Sequence, residues 1–146
     1  SGKALPVYGH GGHIRDWLHV DDHVRGLHHV ATQGQPGQSY NIGGGCERTN
    51  LAVVKLICEI VDRLHPRSGR SCTDLITFVP DRPGHDFRYA IDTTRVRRDL
   101  QFSPQIDFEA GLLTTVRWYL ANEAWWRPLM ESRYTGQRLG LSGTMT

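Results

Sequence analysis

The sequence predicts an α/β fold, or α+β if the chain folds by itself, because short strand-like and helical segments alternate along most of its length. A first strand is predicted at Leu5–Tyr8, an apolar run that stops at Gly9. Further strands are predicted over residues 38–42 and over the β-branched run 75–79. A chain of 146 residues is long enough for one modest core, so a single domain is expected.

Helices are predicted where apolar residues recur at helical spacing. Val24, Leu27 and Val30 predict a helix that is apolar on the face carrying them, with Asp21 or Asp22 as its cap. We expect this face to pack inward.

The strongest helical pattern begins at Thr49 or Asn50. Two more patterns predict helices over residues 93–100 and 107–123. The sequence from Trp125 onward shows no clear period, so no element is predicted there.

Composition excludes several classes of protein. With 38% hydrophobic and 22% charged residues the chain is expected to fold rather than to be disordered. A net charge of +2 is too small to indicate a nucleic-acid partner. No apolar run is long enough for a membrane span and no secretory signal core is seen, so a cytoplasmic protein with three reduced cysteines is expected.

Two glycine clusters, Gly9 to Gly12 and Gly43 to Gly45, invite comparison with a dinucleotide-binding loop. That loop needs Gly-x-Gly-x-x-Gly at the start of a helix, where the pyrophosphate binds. Neither cluster fits that spacing. A metal site at His19 and His23 is likewise not favoured, because no third ligand accompanies them and the acidic residues between them fit a helix start.

Basic residues in two shaped loops are candidates for binding an anion, since arginine pairs well with phosphate. Arg15 follows glycines and precedes a helix, and Arg82 and His85 lie in a loop fixed by proline and glycine. The local sequence leaves open whether Arg15 instead forms a surface pair with Asp16 or Asp21.

Taken together, the segments "LPVYG", "IRDWLHVDDH", "YNIGG", "LITFVPDRPGHDFRYAID" and "TVRWYLANEAWW" resemble the dTDP-glucose 4,6-dehydratase family, in the same order and at matching intervals. The resemblance covers nearly all of residues 2–126. It implies the C-terminal, substrate-binding part of an extended short-chain dehydrogenase without its Rossmann core. Residues 1–126 would form that part, and residues 127–146 would be the tail of the same domain.

The resemblance also implies a set of substrate-binding residues for a dTDP-sugar. Arg15 would contact the diphosphate, and Asn50 would donate to a phosphate oxygen. Pro6 and Tyr8 would lie against the thymine. Arg82 and His85 would close on the nucleotide, while Lys3 and Tyr134 are weaker candidates.

Full-length members of this family use NAD to convert dTDP-glucose to dTDP-4-keto-6-deoxyglucose. Their NAD site, Tyr-x-x-x-Lys pair and acidic catalytic residues precede the region that is matched here. The resemblance therefore implies a truncated chain with no catalytic residue and no cofactor of its own, inactive alone although its parent family is a lyase. The alternatives are a subunit that complements a separate Rossmann-type NAD-binding chain, or a non-catalytic module without ligand. An uncovered face favours a homo-oligomer, most simply a dimer.

Overall fold

The computed structural model describes residues 2–67 and 69–132. The helices of this part are α1 (Val20–Gln33), α2 (Asn50–Leu64), α3 (Thr94–Leu100), α4 (Phe108–Ala121) and α5 (Glu123–Ser132). The strands are β1 (Leu5–Tyr8), β2 (Ile14–Asp16), β3 (Glu47–Thr49) and β4 (Ile76–Val79), and a short 3₁₀ helix spans Cys72–Leu75. The α/β class predicted from the sequence is thus confirmed.

Two small sheets organise the strands. β1 and β4 pair in parallel, with Leu5 opposite Ile76 and Tyr8 opposite Val79. β2 and β3 pair antiparallel, with Ile14 opposite Thr49. Because β1 and β4 run the same way, the loops that follow them emerge at one edge.

α2 holds the two sheets together. Thr49 caps it by accepting a hydrogen bond from the Ala52 N–H (3.2 Å), one of the two caps predicted from the sequence. Leu51 N–H donates to the Gly11 carbonyl (2.9 Å), which ties the start of the helix to the loop after β1. A Cβ on Gly11 would lie 2.8 Å from that of Leu51, so the approach depends on this glycine.

A small core joins α1 and α3. Val96, Leu100 and Phe102 are buried, and Val30, Tyr40 and Ile42 pack against them. The strand predicted over residues 38–42 is wrong, since the structure assigns no strand to them. Tyr40 and Ile42 pack partly buried side chains against this core instead of pairing in a ladder.

α1 differs from the prediction at its start and on its apolar face. His19 caps it, and Asp22, one of the two predicted caps, is a buried residue of the helix. Val24 and Leu27 are 58% and 51% exposed, so this part of the face expected to pack inward is open within the described residues, whereas Val30 packs against the core as expected. α5 was not predicted at all. No helix in the part of the chain that the structure describes could cross a membrane.

Candidate functional site

Polar side chains gather where β1 and β4 end. The Gly9 N–H donates to the Val79 carbonyl (2.9 Å), which holds the loops after the two strands side by side. Tyr8 at the end of β1, His13 in the first loop, Asp81 and His85 in the second, and Arg15 on β2 form one group, here called the carboxyl-edge cluster. Residues that are distant in sequence thus meet through the parallel pairing.

His85 is the centre of this cluster. Its Nε2 lies 2.9 Å from Nη2 of Arg15, and its Nδ1 lies 2.8 Å from Oδ1 of Asp81. An arginine can only donate, so Nε2 must accept and the ring proton must reside on Nδ1. His85 is therefore a neutral imidazole that donates to Asp81 and accepts from Arg15.

Asp81 is held by more than one donor. Its Oδ1 also accepts a hydrogen bond from the Arg82 N–H (2.8 Å), and its Oδ2 lies 3.0 Å from Nε2 of His13. The hydrogen bond from His85, which outweighs partial desolvation, holds the pKa of Asp81 below its ordinary value, aided by the Arg82 N–H and the two imidazoles. Asp81 is thus a stable carboxylate beside the basic side chains.

His13 is the buried support of the cluster, with 4% of its surface exposed. Its ring stacks on that of His85 with centroids 3.8 Å apart, and Phe87 packs at 5.9 Å. Its Nδ1 has no hydrogen-bond partner within the described residues. Stacking on a buried ring limits the orientations open to His85.

The structure brings three of the predicted site residues together: Tyr8, Arg15 and His85. The Tyr8 ring meets His85 edge-on at 6.2 Å. Pro6 lies two residues before Tyr8 on β1, on the same side of the strand, and is exposed.

Asn50 and Arg82 border the cluster. The Asn50 N–H donates to the His13 carbonyl (2.9 Å) at the start of α2. Arg82 is exposed next to Asp81. Of the two weaker candidates, Lys3 is exposed before β1, and Tyr134 lies outside the described residues.

Arg15 lies on β2, not in a loop as expected from the sequence. Besides His85, its guanidinium donates to the main-chain carbonyls of Ile14 (2.7 Å) and Asp86 (2.9 Å). The alternative of a surface pair with Asp16 or Asp21 is not observed: Asp16 accepts from the Cys46 N–H and Asp21 lies near His19.

Sequence reasoning missed His13 and gave Asp81 no role of its own. No local pattern marks His13, because its partners lie in a loop far along the chain. Asp81 belongs to the loop that was singled out, and its spacing of four from His85 was the available signal.

His13, Asp81 and His85 offer ligand atoms that all lie within 4.8 Å of one another, which raises the question of a metal site. A metal on Nδ1 of His85 would require the proton on Nε2, where it would face the Arg15 donor. The hydrogen bonds therefore favour a proton network at this place.

The two glycine clusters do not have the position that a dinucleotide-binding loop requires. The first leads into β2 and the second into β3, so neither opens a helix. A Cβ at Gly44 would lie 1.8 Å from the Trp17 carbonyl, which places the second cluster against the chain's own backbone. Neither cluster fits the pyrophosphate of NAD.

A cavity of about 690 Å³ lies away from the cluster, between the start of α1 and α4. Its lining is largely apolar and includes Trp17, Val20, Phe108, Leu112, Trp118 and Tyr119. None of the predicted substrate-binding residues lines it.

Solved structures of related fold define the class of the chain. The dTDP-glucose 4,6-dehydratase DesIV from Streptomyces venezuelae, which contains NAD, superposes with a TM-score of 0.79 at 40% identity, covering 88% of this chain and 37% of that one. The enzyme of that name from Bacillus anthracis str. Ames, in complex with NAD, gives a TM-score of 0.75 at 43% identity over 88% of this chain and 38% of that one. The fold is that of the C-terminal part of an extended short-chain dehydrogenase.

Sequence comparison gives the family within that class. The family model described as GDP-mannose 4,6 dehydratase matches residues 1–115, and the chain belongs to this family. The dTDP-glucose 4,6-dehydratase of Escherichia coli is 52% identical over 144 residues, which are 97% of this chain and 40% of that protein. The resemblance drawn from the sequence is confirmed, and the chain spans about 40% of the length of the curated relatives it matches.

Proposed function

We propose that this chain forms the nucleotide-binding side of a dTDP-glucose 4,6-dehydratase site and binds the diphosphate of a dTDP-sugar at the carboxyl-edge cluster. The observation that carries this proposal is the meeting of Arg15 and His85, two predicted anion ligands from segments far apart in sequence. For the complete enzyme, we propose the reaction that the resemblance implies, the conversion of dTDP-glucose to dTDP-4-keto-6-deoxyglucose.

The surroundings of the cluster suit a nucleoside diphosphate. Arg15 and Arg82 would pair with phosphate oxygens, and Asn50 lies at the amino end of α2, where a helix favours negative charge. Pro6 and Tyr8 offer a flat, partly apolar surface on one side of β1 for the thymine ring. Lys3, exposed before β1, would add a second-rank contact.

Catalysis is assigned elsewhere. Residues 2–67 and 69–132 hold no glycine loop that fits NAD. We propose that NAD and the groups that move protons and hydride belong to a part of the enzyme other than these residues. By itself the chain is then a binding module of a lyase family.

Calorimetric titration of the chain with thymidine diphosphate tests the proposal. Arg15→Ala should weaken binding about 10- to 150-fold, the effect of losing a charged hydrogen bond of roughly 1.5–3 kcal/mol. Arg98→Ala is the charge-matched control, because Arg98 is exposed on α3 and pairs with its neighbour Asp99. Absence of binding by the folded wild-type chain, or equal losses in both variants, would overturn the proposal.

We further propose that the chain associates through an open apolar face, formed by Val20, Val24 and Leu27 of α1 with Trp118 and Tyr119 of α4. These five side chains are 64%, 58%, 51%, 43% and 50% exposed. Val20 and the two aromatic residues line one cavity, which places the start of α1 beside α4. A second copy of the chain is the simplest cover, and the alternative is a separate Rossmann-type NAD-binding chain.

Measurements of molecular mass and of co-purification distinguish these two partners of the open apolar face. Light scattering that shows a dimer of the isolated chain supports self-association, whereas a stable complex with a separately expressed NAD-binding chain supports complementation. A monomer at all concentrations that binds no such chain would reject both. A cytoplasmic location stays a prediction.

A further inference from the structure

The proton on His85 is fixed by its neighbours. Arg15 supplies only N–H donors, so its 2.9 Å contact with Nε2 requires a lone pair there. Asp81 then accepts the Nδ1 proton at 2.8 Å. Protonation of Nε2 would cost the Arg15 hydrogen bond and would place two cations side by side.

A diphosphate changes this balance. Phosphate oxygens accept hydrogen bonds and draw the Arg15 guanidinium toward themselves. Nε2 of His85, no longer facing a donor, would then face phosphate oxygens, which it can contact favourably only as N–H. The ring needs a second proton to complete the site.

We propose that Asp81 is a positioning residue that orients His85 toward Arg15, whose guanidinium keeps the ring neutral in the free protein, and that binding of a nucleoside diphosphate makes Nε2 of His85 take up a proton from solvent. This inference rests on the proposed function and adds proton linkage to it. In the bound state Asp81 faces an imidazolium, an ion pair that favours the protonated ring.

The groups around His85 support this assignment. Arg15 comes from β2, Tyr8 from β1, His13 from the loop after β1, and Asp81 from its own loop. Asp81 is the one anion among these four neighbours, and the hydrogen bond from His85, together with the Arg82 N–H, keeps its pKa low. Its charge is therefore available throughout the pH range in which histidine titrates.

Calorimetry in buffers of different ionisation enthalpy measures the protons exchanged on binding. Thymidine diphosphate is titrated into the chain near pH 8, and the apparent enthalpy is plotted against the enthalpy of the buffer. The wild-type chain should take up a fraction of a proton, at most about one per ligand. His85→Gln retains a hydrogen-bonding side chain but cannot be charged, so proton uptake should vanish in this variant.

Asp81→Asn tests the positioning role. An amide can still accept from Nδ1 but brings no charge, so the uptake should fall to less than about half of the wild-type value. Asp99→Asn, which removes a carboxylate that pairs with Arg98 on α3, should keep the wild-type uptake. A purely structural role of Asp81 would weaken binding without altering the number of protons.

The outcomes separate the two proposals. Binding without proton uptake, or uptake that is unchanged in His85→Gln, would overturn this inference and leave the nucleotide site standing. Equal uptake in Asp81→Asn and Asp99→Asn would overturn the role of Asp81. No binding by the wild-type chain would reject the proposed function, and the proton linkage with it.

Discussion

The carboxyl-edge cluster and the open apolar face show two different ways in which side chains are accommodated. In the cluster, Arg15, Asp81 and His85 are joined by hydrogen bonds of 2.8 and 2.9 Å made within the chain. On the open face, Val20 and Val24 remain 64% and 58% exposed. The described residues arrange their own polar site but do not cover this apolar face.

The difference has a physical reason. A polar cluster needs only a few directed contacts, which two loops beside a parallel strand pair supply. Burial of an apolar helix face needs a layer of packed side chains, and no described element provides that layer for α1. Nucleotide binding and association are thus expected to depend on different residues.

α1 has an open apolar face and a buried polar residue, Asp22. Substitution of Asp22 should give the largest effect on stability. Asp22 accepts from the N–H groups of Gln105 and Ile106 and from Arg25. Asp22→Ala deprives the two N–H groups of this acceptor and removes the ion pair with Arg25, which should lower the free energy of unfolding by about 2–4 kcal/mol in urea denaturation.

Asp21→Ala is the matched control for this loss. Asp21 lies one residue away on the same helix with its side chain 77% exposed, so its removal should change the free energy of unfolding by less than about 0.5 kcal/mol. Equal urea midpoints for the two variants would show that α1 is not anchored by its buried face.

Low pH should weaken the hydrogen bonds that Asp22 accepts. Burial by itself would raise the pKa of Asp22, but the N–H groups of Ile106 and Gln105 and the Arg25 guanidinium hold this pKa below its ordinary value. A carboxyl whose pKa is depressed in the folded state stabilises fully above its unfolded pKa and loses that contribution as pH falls through the folded one. The midpoint temperature of thermal unfolding should therefore be constant down to about pH 5 and should decline below about pH 4.

Asp22→Ala sharpens this pH test. Other carboxyls with lowered pKa values, Asp62 and Asp92 among them, still titrate, so the variant should show a shallower decline rather than none. A decline as steep as that of the wild-type chain would mean that Asp22 contributes nothing to the acid sensitivity.

Much of the fold followed from the sequence because local patterns report local structure. β1, β4 and the helices α2 to α4 were predicted by apolar runs, spacing and caps. β2 and β3 were not predicted, because a strand of three residues such as Ile14–Asp16 is too short to show an alternating apolar pattern. The exposed side of α1 shows a further limit: periodicity tells which face is apolar, not what covers it.

The site was predictable to the same extent. Arg15 and His85 were marked by residue type and by loop context, and the resemblance strengthened both. The role of His13 and the proton arrangement could not be read from the sequence, since they arise only when β1 and β4 pair and bring their loops together. Long-range contacts of this kind leave no local pattern.

The next largest effect is expected on the open face. The double change Val24→Glu and Leu27→Glu places two carboxylates on an association surface, so the dissociation constant of a dimer should rise at least about 10-fold by light scattering. The fold should survive, because both side chains are exposed.

Lys55→Glu controls for charge in that experiment. Lys55 is exposed on α2, and its replacement changes the net charge by the same amount as the double change. Association that is lost equally in both proteins would indicate general charge repulsion, and nucleotide binding that is lost with the double change would contradict the separation of the two regions.

The smallest effect is expected from loss of the side-chain cap of α2, the helix beside the proposed nucleotide site. Thr49→Ala removes the side-chain cap of α2, whose oxygen accepts from Ala52 N–H, and should cost about 1 kcal/mol of unfolding free energy. Thr93 precedes α3 without a side-chain cap hydrogen bond, so Thr93→Ala should cost clearly less in the same urea titration. Because Asn50 follows Thr49 at the edge of the cluster, Thr49→Ala should also weaken thymidine diphosphate binding, whereas Thr93→Ala should not. Equal effects of the two variants on binding would show that the start of α2 contributes nothing to the site.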